Sequence, residues 1–234
     1  MLAPPRILDP RVVPVAGHDG HLPGIPADRL SAERLREQFA AARPFTPEMP
    51  GDGRRFDLAR EPSPAAVLVP LVHRPEGLSV LLTRRTDHLR DHAGQISFPG
   101  GRSEPEDGSA AETALRETEE EVGLARRHVE VVGTLPVYTT VTSYTVTPVV
   151  ALVTPPFALA LDSFEVAEAF EVPLAYLMTP AHHRRHVFTF DGGERQFLSM
   201  PWHGPGADGE PREYFIWGAT AAMLRNLYRF LAHD

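Results

Sequence analysis

The sequence predicts an α/β or α+β body, because strand-like and helix-like segments are mixed along a single chain of 234 residues. Short apolar runs rich in Val and Thr are typical of buried strands. Other segments repeat apolar residues at the three- and four-residue spacing of amphipathic helices. Hydrophobic residues at 42% and charged residues at 23% are ordinary for a globular protein and exclude a largely disordered chain.

The first quarter of the chain, residues 1–64, is predicted to be an extended arm with one helix. Eleven of the 24 prolines fall in this quarter, and proline disfavours regular structure. The helix is expected over residues 32–43, because Ser31 can cap its start and Pro44 ends it. Residues 65–234 are expected to form the main domain.

The main domain begins with two predicted strands, residues 65–72 and 78–83, joined by a turn that contains Pro and Gly. Pro70 inside the first strand indicates a bulge or an edge position. Further strands are predicted over residues 128–135, 144–154, 187–190, 194–198 and 213–216. Helices are predicted over residues 109–122, near residues 174–178, and over residues 220–231.

Composition and charge narrow the range of partners. The formal net charge is −8, from 23 basic and 31 acidic residues, which argues against non-specific binding to nucleic acid. No apolar run approaches the roughly 18 residues needed to span a membrane, and the first residues lack the apolar stretch of a secretory signal. The chain contains no cysteine, which excludes disulfides and fits the cytoplasm. We therefore expect a cytoplasmic protein with no nucleic-acid or membrane partner, while a phosphate-bearing small-molecule substrate stays compatible with the acidic charge because a divalent metal can reverse the local sign.

Three glutamates crowd one face of the predicted helix over residues 109–122. Glu117, Glu120 and Glu121 stand at i, i+3 and i+4, where like charges destabilise one another, and they oppose the helix dipole. A local cost of this kind is typical of a functional site. Clustered carboxylates suit a hard divalent cation such as Mg²⁺, which prefers oxygen ligands. The alternative is a solvated acidic face.

The ends of this helix and the loop before it carry further signals. Ser109 and Glu112 form an S-x-x-E capping box, which marks the start of a helix, and Gly123 suits its end. The turn at residues 99–101 (Pro-Gly-Gly) allows the backbone to approach a phosphate or to donate a carbonyl to a metal ion. Arg102 is a candidate phosphate contact.

The segment over residues 101–124 resembles the Nudix box. That box runs Gly, five residues, Glu, seven residues, and then Arg-Glu-aliphatic-x-Glu-Glu-x-Gly-aliphatic. Every charged position of its second half is present here as RETEEEVGL. Asp107 replaces the first Glu of the box, eight residues rather than seven separate it from Arg116, and Thr118 replaces the aliphatic residue. The role of Asp107 is left open by this resemblance.

A second segment, residues 81–101, reads LLTRRTDHLRDHAGQISFPGG. It is similar to the signature LLTxR(S/T), three residues, Arg, three residues, Gly, three residues, FPGG, which marks the coenzyme A pyrophosphatase branch of the Nudix hydrolases. The resemblance implies the Nudix fold, a mixed β-sheet sandwiched between α-helices, from about residue 65 to residue 231. It also implies hydrolysis of the diphosphate of coenzyme A or its derivatives, with Mg²⁺ or Mn²⁺, to 3′,5′-ADP and 4′-phosphopantetheine.

The resemblance also implies roles for individual residues. Glu117 and Glu121 would be the principal metal ligands, Glu120 a third, and the carbonyl of Gly101 would complete the site. Arg116 would orient Glu117 through a charge-assisted hydrogen bond. Glu117, Glu120 and Arg116 are therefore the expected catalytic residues of the box.

The general base is left open by the resemblance, because some Nudix enzymes use a glutamate of the box and others one from a later loop. Glu165, Glu168 and Glu171 lie in the corresponding part of this chain. We take Glu165 as the first choice. The alternative is that Glu165 is an ordinary exposed loop carboxylate, and only geometry distinguishes the two.

Four arginines near the box are candidate contacts for substrate phosphates, for which a guanidinium offers a bidentate fork: Arg84, Arg85, Arg90 and Arg102. The alternative is that at least one of them pairs with Asp87 or Asp91 instead.

Two other functions fit the same residues. One is a Nudix enzyme for another nucleoside diphosphate derivative, such as ADP-ribose or a dinucleotide. The other is a non-catalytic Nudix module that binds a nucleotide, although the complete set of glutamates argues against it. The amphipathic helix over residues 220–231 is expected to pack within the chain or to form the seam of a homodimer.

Overall fold

The computed structural model describes residues 7–52, 61–89, 92–191 and 193–233. Within these ranges the chain forms two β-sheets flanked by a small number of helices, so the α+β class predicted from the sequence is confirmed. None of the helices in the described ranges is long and apolar enough to cross a membrane.

The larger sheet is mixed, because β2 and β8 run parallel while the other pairings are antiparallel. Its main order is β4-β3-β2-β8-β6, with β5 on β2, β7 on β8 and β9 on β3. Its strands are β2 (Ser63–Arg74), β3 (Gly77–Arg85), β4 (Ile96–Ser97), β5 (Gly100–Arg102), β6 (Val129–Thr134), β7 (Tyr138–Thr139), β8 (Tyr144–Val153) and β9 (Val166–Pro173). Four of them, β2, β3, β6 and β8, were predicted close to these bounds.

The smaller sheet is antiparallel, in the order β1-β10-β11-β12. Its strands are β1 (Val15–His18), β10 (Arg184–Phe190), β11 (Gly193–Pro205) and β12 (Pro211–Trp217). The prediction of residues 194–198 as a strand was too short, because β11 continues to Pro205. β1 was not predicted, and it attaches the N-terminal arm to this sheet.

Four helices complete the described fold: α1 (Ala32–Ala40), α2 (Ala110–Val122), α3 (Leu174–Leu177) and α4 (Gly218–Ala232). The helix predicted over residues 32–43 is present but ends at Ala40. The Ser31 side chain caps it as predicted, accepting a hydrogen bond from the backbone N–H of Arg34 at 3.3 Å. The other three helices agree closely with the predicted segments.

The main core lies between the sheets and is closed by α4. Apolar side chains from both sheets, α1 and α4 form one cluster, in which Leu35, Leu82 and Leu224 are fully buried. A separate cluster lies beneath α2, where Ala114 packs on Leu68 of the larger sheet. Helix α2 therefore presents one face to the sheet and leaves its glutamate face beside β5.

Pro70 does not mark an edge or a bulge, so that prediction was wrong. β2 lies in the interior of its sheet, and Pro70 pairs with Ala151 of the parallel neighbour β8. On its other side β2 pairs with β5 over residues 65–67 and with β3 over residues 71–74. Proline is tolerated because it falls between these two pairings, where an N–H donor is not needed for either ladder.

A buried cluster of charges binds the N-terminal arm to α4. Arg225 is fully buried, and its guanidinium contacts Glu48 at 2.8 Å and Asp19 at 3.2 Å. Arg185 bridges the same two carboxylates, at 2.7 Å from Glu48 and 2.9 Å from Asp19. Burial alone would raise the pKa of Glu48, but hydrogen bonds from Arg225, Arg185 and Arg229 outweigh it and hold the pKa at about 2.

Candidate functional site

The glycine turn before α2 brings backbone against the glutamate face of the helix. Gly100 has φ of +148°, a conformation that side-chain-bearing residues rarely adopt, and a Cβ there would collide with the carbonyl oxygen of Ala66. Its backbone N–H donates a hydrogen bond to Oε2 of Glu121 at 3.1 Å. The sequence predicted a role for the neighbouring Gly101 but not for this amide, although the FPGG run was a signal for it.

Gly101 is required for a different reason. A Cβ at this position would overlap the carboxylate of Glu117, so a larger residue would displace that side chain from its present position. The side chain of Glu117 is 18% exposed and lies between the turn and the helix. The turn and α2 thus enclose the carboxylates of Glu117 and Glu121 from one side.

Local sequence explains why α2 begins and ends where it does. The Ser109 side chain accepts a hydrogen bond from the backbone N–H of Glu112 at 3.2 Å, as the capping box predicts. The Glu112 carboxylate accepts the backbone N–H of Gly108, rather than that of Ser109, at 2.6 Å. Gly123 ends the helix in the left-handed conformation, with φ of +70°.

Arg116 organises the outer half of the site. Its Nη1 donates to Glu117 at 2.9 Å and to Glu120 at 3.1 Å. Its Nε and Nη2 donate to the two carboxylate oxygens of Asp107 at 3.0 and 2.8 Å. This bidentate hydrogen bond holds the pKa of Asp107 well below its ordinary value and raises that of Arg116.

Asp107 therefore has a defined partner, although the sequence left its role open. It also accepts hydrogen bonds from the hydroxyl of Thr113 at 2.9 Å and from the backbone N–H of Glu104 at 2.9 Å. These contacts fix the Asp107 carboxylate, which in turn fixes the orientation of Arg116. Glu120, the third glutamate of the face, is 60% exposed and contacts Arg116 at the rim.

The β8–β9 loop, residues 154–165, is bound to the C-terminal end of α2. The backbone N–H of Ala160 donates to the carbonyl of Val122 at 2.9 Å, and that of Asp162 donates to the carbonyl of Glu121 at 2.9 Å. These bonds satisfy carbonyl groups that the end of a helix leaves unpaired. At its far end the loop accepts a hydrogen bond from the backbone N–H of Thr86 through the carbonyl of Glu165, at 3.0 Å.

This loop brings Glu165 to the site. Arg85 lies between two carboxylates, at 3.6 Å from Glu121 and 3.5 Å from Glu165. Its Nε is buried and lacks a hydrogen-bond partner among the residues that the structure describes. The geometry thus groups Glu117, Glu121 and Glu165, from a helix and a distant loop, around one edge of the glycine turn.

The pKa values report how strongly these carboxylates interact. Burial raises the pKa of Glu121 to about 7; the Gly100 amide and Arg85 lower it, while the charges of Glu165 and Glu117 raise it further. Burial also raises the pKa of Glu117, opposed by Arg116 and reinforced by Glu120 and Glu165. Burial is the main cause of both shifts, and the neighbouring carboxylates add to it, so the charged forms of Glu117 and Glu121 are only partly stabilised by Arg116 and Arg85.

A divalent cation fits this site. The carboxylate oxygens of Glu117 and Glu121 beside the glycine turn are the ligand type that Mg²⁺ and Mn²⁺ prefer. Within the described ranges, no three His, Asp or Glu side chains already converge in a coordination geometry. In this site Arg116 bonds to Glu117, and the Gly100 amide bonds to Glu121.

The candidate phosphate-binding arginines differ in their surroundings. Arg84 pairs with Asp87 at 3.3 Å and lies 3.8 Å from Glu168, so the alternative of an intramolecular pair applies to it. Arg85 is engaged by the carboxylate group described above. Arg102 is exposed on β5, and its backbone carbonyl accepts a hydrogen bond from Arg116 at 3.1 Å. Arg90 lies outside the described residues.

The three glutamates considered as the general base, Glu165, Glu168 and Glu171, also differ in their surroundings. Glu168 is buried and bound by Tyr214 at 2.8 Å, and Glu171 forms a bidentate pair with Arg74 at 2.6 and 2.9 Å. Glu165 is 42% exposed and lies beside the site. Of the three, Glu165 is therefore the one with an accessible carboxylate near Glu121.

Comparison with known proteins agrees with this architecture. The family model described as the NUDIX domain matches residues 62–190. A curated protein of Escherichia coli strain K12, "Uncharacterized Nudix hydrolase NudL", is 43% identical over 164 residues, which cover 70% of this chain and 80% of that protein. The protein of the same description from Shigella flexneri is 41% identical over 177 residues, covering 74% of this chain and 86% of the relative.

Similar solved structures include a MutT/nudix family protein from Enterococcus faecalis, with a TM-score of 0.44 and 15% identity over 86% of this chain and 75% of that one. Another is the Nudix hydrolase RenU from M. smegmatis, with a TM-score of 0.42 and 24% identity over 54% and 78% of the two chains. The matched family model spans more than half of the chain and contains the glycine turn, α2 and the β8–β9 loop. The chain therefore belongs to the Nudix hydrolase family.

Proposed function

We propose that the protein hydrolyses the diphosphate of coenzyme A or of its thioesters, giving 3′,5′-ADP and 4′-phosphopantetheine or its acyl form. Membership of the Nudix family supports the coarser statement, hydrolysis of a nucleoside diphosphate derivative. The finer assignment rests on residues 81–101, which are similar to the signature of the coenzyme A pyrophosphatase branch.

The observation that carries the proposal is the grouping of Glu117, Glu121 and Glu165 beside the glycine turn. We assign Mg²⁺ or Mn²⁺ to Glu117 and Glu121, with Glu120 as a third ligand and the carbonyl of Gly101 completing the set. When bound, the ion supplies charge neutralisation at the phosphoryl oxygens and a lowered pKa for a coordinated water.

The protein's own groups orient these carboxylates before substrate arrives. Arg116 holds Glu117 by its Nη1, and the Gly100 amide holds Glu121. Such fixed dipoles and charges contribute to catalysis because they need no reorganisation during the reaction. Arg116 is thus a positioning residue that acts through Glu117 and Glu120.

Glu165 is the proposed general base. It accepts the proton of the water that attacks one phosphorus of the diphosphate, and the bond from that phosphorus to the bridging oxygen breaks. Arg85 lies 3.5 Å from Glu165 and orients its carboxylate. The leaving phosphate carries away the bonding electron pair, so the reaction consumes one water and leaves a phosphate monoester on each product, 3′,5′-ADP and 4′-phosphopantetheine.

The proposed phosphate contacts are Arg84, Arg85, Arg90 and Arg102. Among the described arginines, Arg102 is the most accessible to a substrate phosphate, because its side chain is exposed on the strand next to the turn. Arg84 would give up its contact with Asp87 to bind a phosphate. Because that ion pair is exposed, breaking it costs little free energy.

The test is to incubate the purified protein with Mn²⁺ and, separately, coenzyme A, acetyl-coenzyme A, ADP-ribose and diadenosine polyphosphates, and to identify products by chromatography and mass spectrometry. We expect coenzyme A or its thioester to be cleaved with the highest kcat/KM and to yield 3′,5′-ADP. Faster turnover of ADP-ribose would overturn the substrate assignment. Near-normal turnover by Glu121→Gln would overturn the metal assignment, and no turnover of any candidate would favour a binding module.

A further inference from the structure

Phe164 is an exposed aromatic side chain directly beside the site. It is 65% exposed, and it immediately precedes Glu165. Neither the metal assignment nor the proposed phosphate contacts make use of it. Its exposed face is therefore available to a ligand that enters the site.

The backbone that carries this ring is fixed rather than loose. The backbone N–H of Phe164 donates to the Asp162 side chain at 2.9 Å, and its carbonyl accepts from the Thr86 hydroxyl at 2.8 Å. The same loop is bound to α2 through the backbone N–H groups of Ala160 and Asp162. The backbone of Phe164 is thus fixed relative to Glu121, which limits the positions that the ring can take and favours pre-organised binding.

A second ring lies next to it. The imidazole of His88 is 4.9 Å from the Phe164 ring, centroid to centroid, at an interplanar angle of 58°. His88 is exposed and lies in the turn that follows β3, three residues after Arg85. The two rings form a small aromatic platform, defined here as Phe164 and His88, at the mouth of the carboxylate group.

We propose that this platform stacks against the nucleobase of the substrate. A planar heteroaromatic ring is the chemistry that two neighbouring aromatic rings recognise, and base–aromatic stacking contributes substantially to nucleotide binding. The position fits the reaction, because the residue next to the platform is Glu165 and the diphosphate must lie at the carboxylates. This inference rests on the proposed function, since it assumes a substrate that contains a nucleobase.

The test uses 3′,5′-ADP as the probe, because it contains the base and is not itself a diphosphate that the enzyme would cleave. In calorimetric titrations we expect Phe164→Ala to weaken binding about tenfold and His88→Ala to weaken it less. Phe164→Tyr and His88→Phe keep a flat ring and should restore most of the affinity. Leu161→Ala is the matched control, an exposed apolar side chain of the same loop, and should bind as the unchanged protein does.

A second measurement detects stacking directly. In Phe164→Trp the new indole should be quenched when 3′,5′-ADP binds, and in Leu161→Trp it should not. Equal quenching in the two variants, or unchanged affinity of Phe164→Ala, would overturn the proposal. Size-exclusion chromatography would then show what covers the ring instead. A shift of Phe164→Ala from dimer to monomer would indicate that a second copy of the chain covers it.

Binding of 3′,5′-ADP is measured without turnover, so the two proposals fail separately. Base-dependent binding with no hydrolysis of coenzyme A would support the platform and contradict the proposed function. If the protein hydrolyses coenzyme A and Phe164→Ala leaves the KM unchanged, the proposed function would be supported and the platform contradicted.

Discussion

The backbone amide of Gly100 donates to the carboxylate of Glu121 at 3.1 Å, although 21 residues separate the two along the chain. The turn and the helix therefore form one unit, in which backbone geometry and carboxylate position depend on each other. Changes in the turn should alter the site without touching a charged residue.

Gly101→Ala should impair the site through sterics alone. The added methyl group would overlap the Glu117 carboxylate and displace it from the turn. We expect kcat/KM to fall at least about tenfold, equivalent to about 1.4 kcal/mol, and Mn²⁺ to bind more weakly. Gly17→Ala is the control, because a methyl group added there would have no neighbouring atom within 4 Å. Wild-type kinetics in Gly101→Ala would contradict the arrangement.

Glu121→Gln should stabilise the fold at pH 8 while destroying function. The pKa of Glu121 is about 7 in the fold against an ordinary 4.5, so its stabilising contribution is complete below pH 4.5 and is lost as the pH rises through 7. Differential scanning calorimetry should therefore give a higher Tm for Glu121→Gln than for the wild type at pH 8, and equal values near pH 4.

The same calorimetry should distinguish two effects of Glu121→Gln on Tm: removal of a buried negative charge and loss of a metal ligand. Mn²⁺ should raise the Tm of the wild type at pH 8 and have a smaller effect on Glu121→Gln, because a ligand stabilises the state that binds it. Glu119→Gln, an exposed neighbour on α2 that pairs with Arg126 at 3.5 Å, should respond to Mn²⁺ as the wild type does. A lower Tm for Glu121→Gln at pH 8 would show that the carboxylate is not strained by burial.

Asp107→Asn should reduce activity by loosening Arg116. The substitution removes the charge that makes the bidentate hydrogen bond strong, while the amide keeps the shape of the side chain. We expect kcat to fall by about tenfold with KM nearly unchanged, because Asp107 does not touch substrate. Asp107→Glu should recover part of the loss. A large rise in KM alone would instead place Asp107 in substrate binding.

Glu165→Gln should slow the chemical step. Loss of a general base typically costs a hundredfold or more, so we expect kcat to fall by roughly that factor with a small change in KM. Glu171→Gln is the matched control, since its carboxylate is engaged by Arg74 away from the site, and it should keep kcat within about twofold. Similar losses in both variants would remove Glu165 from the mechanism.

Arg225→Met should destabilise the protein strongly. It would remove the fully buried guanidinium and leave Arg185 between Glu48 and Asp19 and Arg229 beside Glu48, so the loss should approach, but stay below, the roughly 3–5 kcal/mol typical of an uncompensated buried charge. Urea unfolding should show this loss, and Arg36→Met, which breaks an exposed pair with Glu130, should lose less than about 1 kcal/mol. Equal midpoints for the two variants would contradict a role of the buried cluster in stability.

The buried charge cluster around Glu48 also predicts that the protein loses stability at low pH. The pKa of Glu48 is about 2 in the fold against an ordinary 4.5, because its burial raises the pKa less than the hydrogen bonds from Arg225, Arg185 and Arg229 lower it. The stabilisation from Glu48 is therefore complete above pH 4.5 and is lost as the pH falls through 2. Glu48→Gln should flatten the fall in Tm between these values.

Local signals account for what the sequence predicted well. The capping box at Ser109, the left-handed Gly123 and the spacing of the glutamates all act within a few residues, so α2 and its charged face were predictable. β2 and β8 were predictable because long apolar runs bury both faces of a central strand.

Long-range partners account for what was missed. In β9 the alternation of buried positions includes Glu168, whose burial is compensated by Tyr214, Arg212 and the amide of Ala207 from a distant hairpin. A charged residue at a buried position interrupts the alternation of apolar and polar residues by which a strand is recognised in a sequence. β1 is mostly exposed and exists through its pairing with β10, for which its own residues give no signal.

The placement of Glu165 depends on the same kind of contact. Its distance to Arg85 is set by hydrogen bonds from the β8–β9 loop to the end of α2 and to Thr86, and none of these is visible in sequence spacing. The spacing of the box glutamates was therefore visible in the sequence, whereas the different surroundings of Glu165, Glu168 and Glu171 became visible only in the fold.

The pairing of Arg225 with Asp19 and Glu48 has a practical consequence for anyone who shortens this protein. A fragment cut to start at Ala65 would keep the guanidinium in the interior and discard both of its counter-ions. Such a fragment should accumulate as inclusion bodies on expression, whereas one that starts just before Asp19 should be recovered folded.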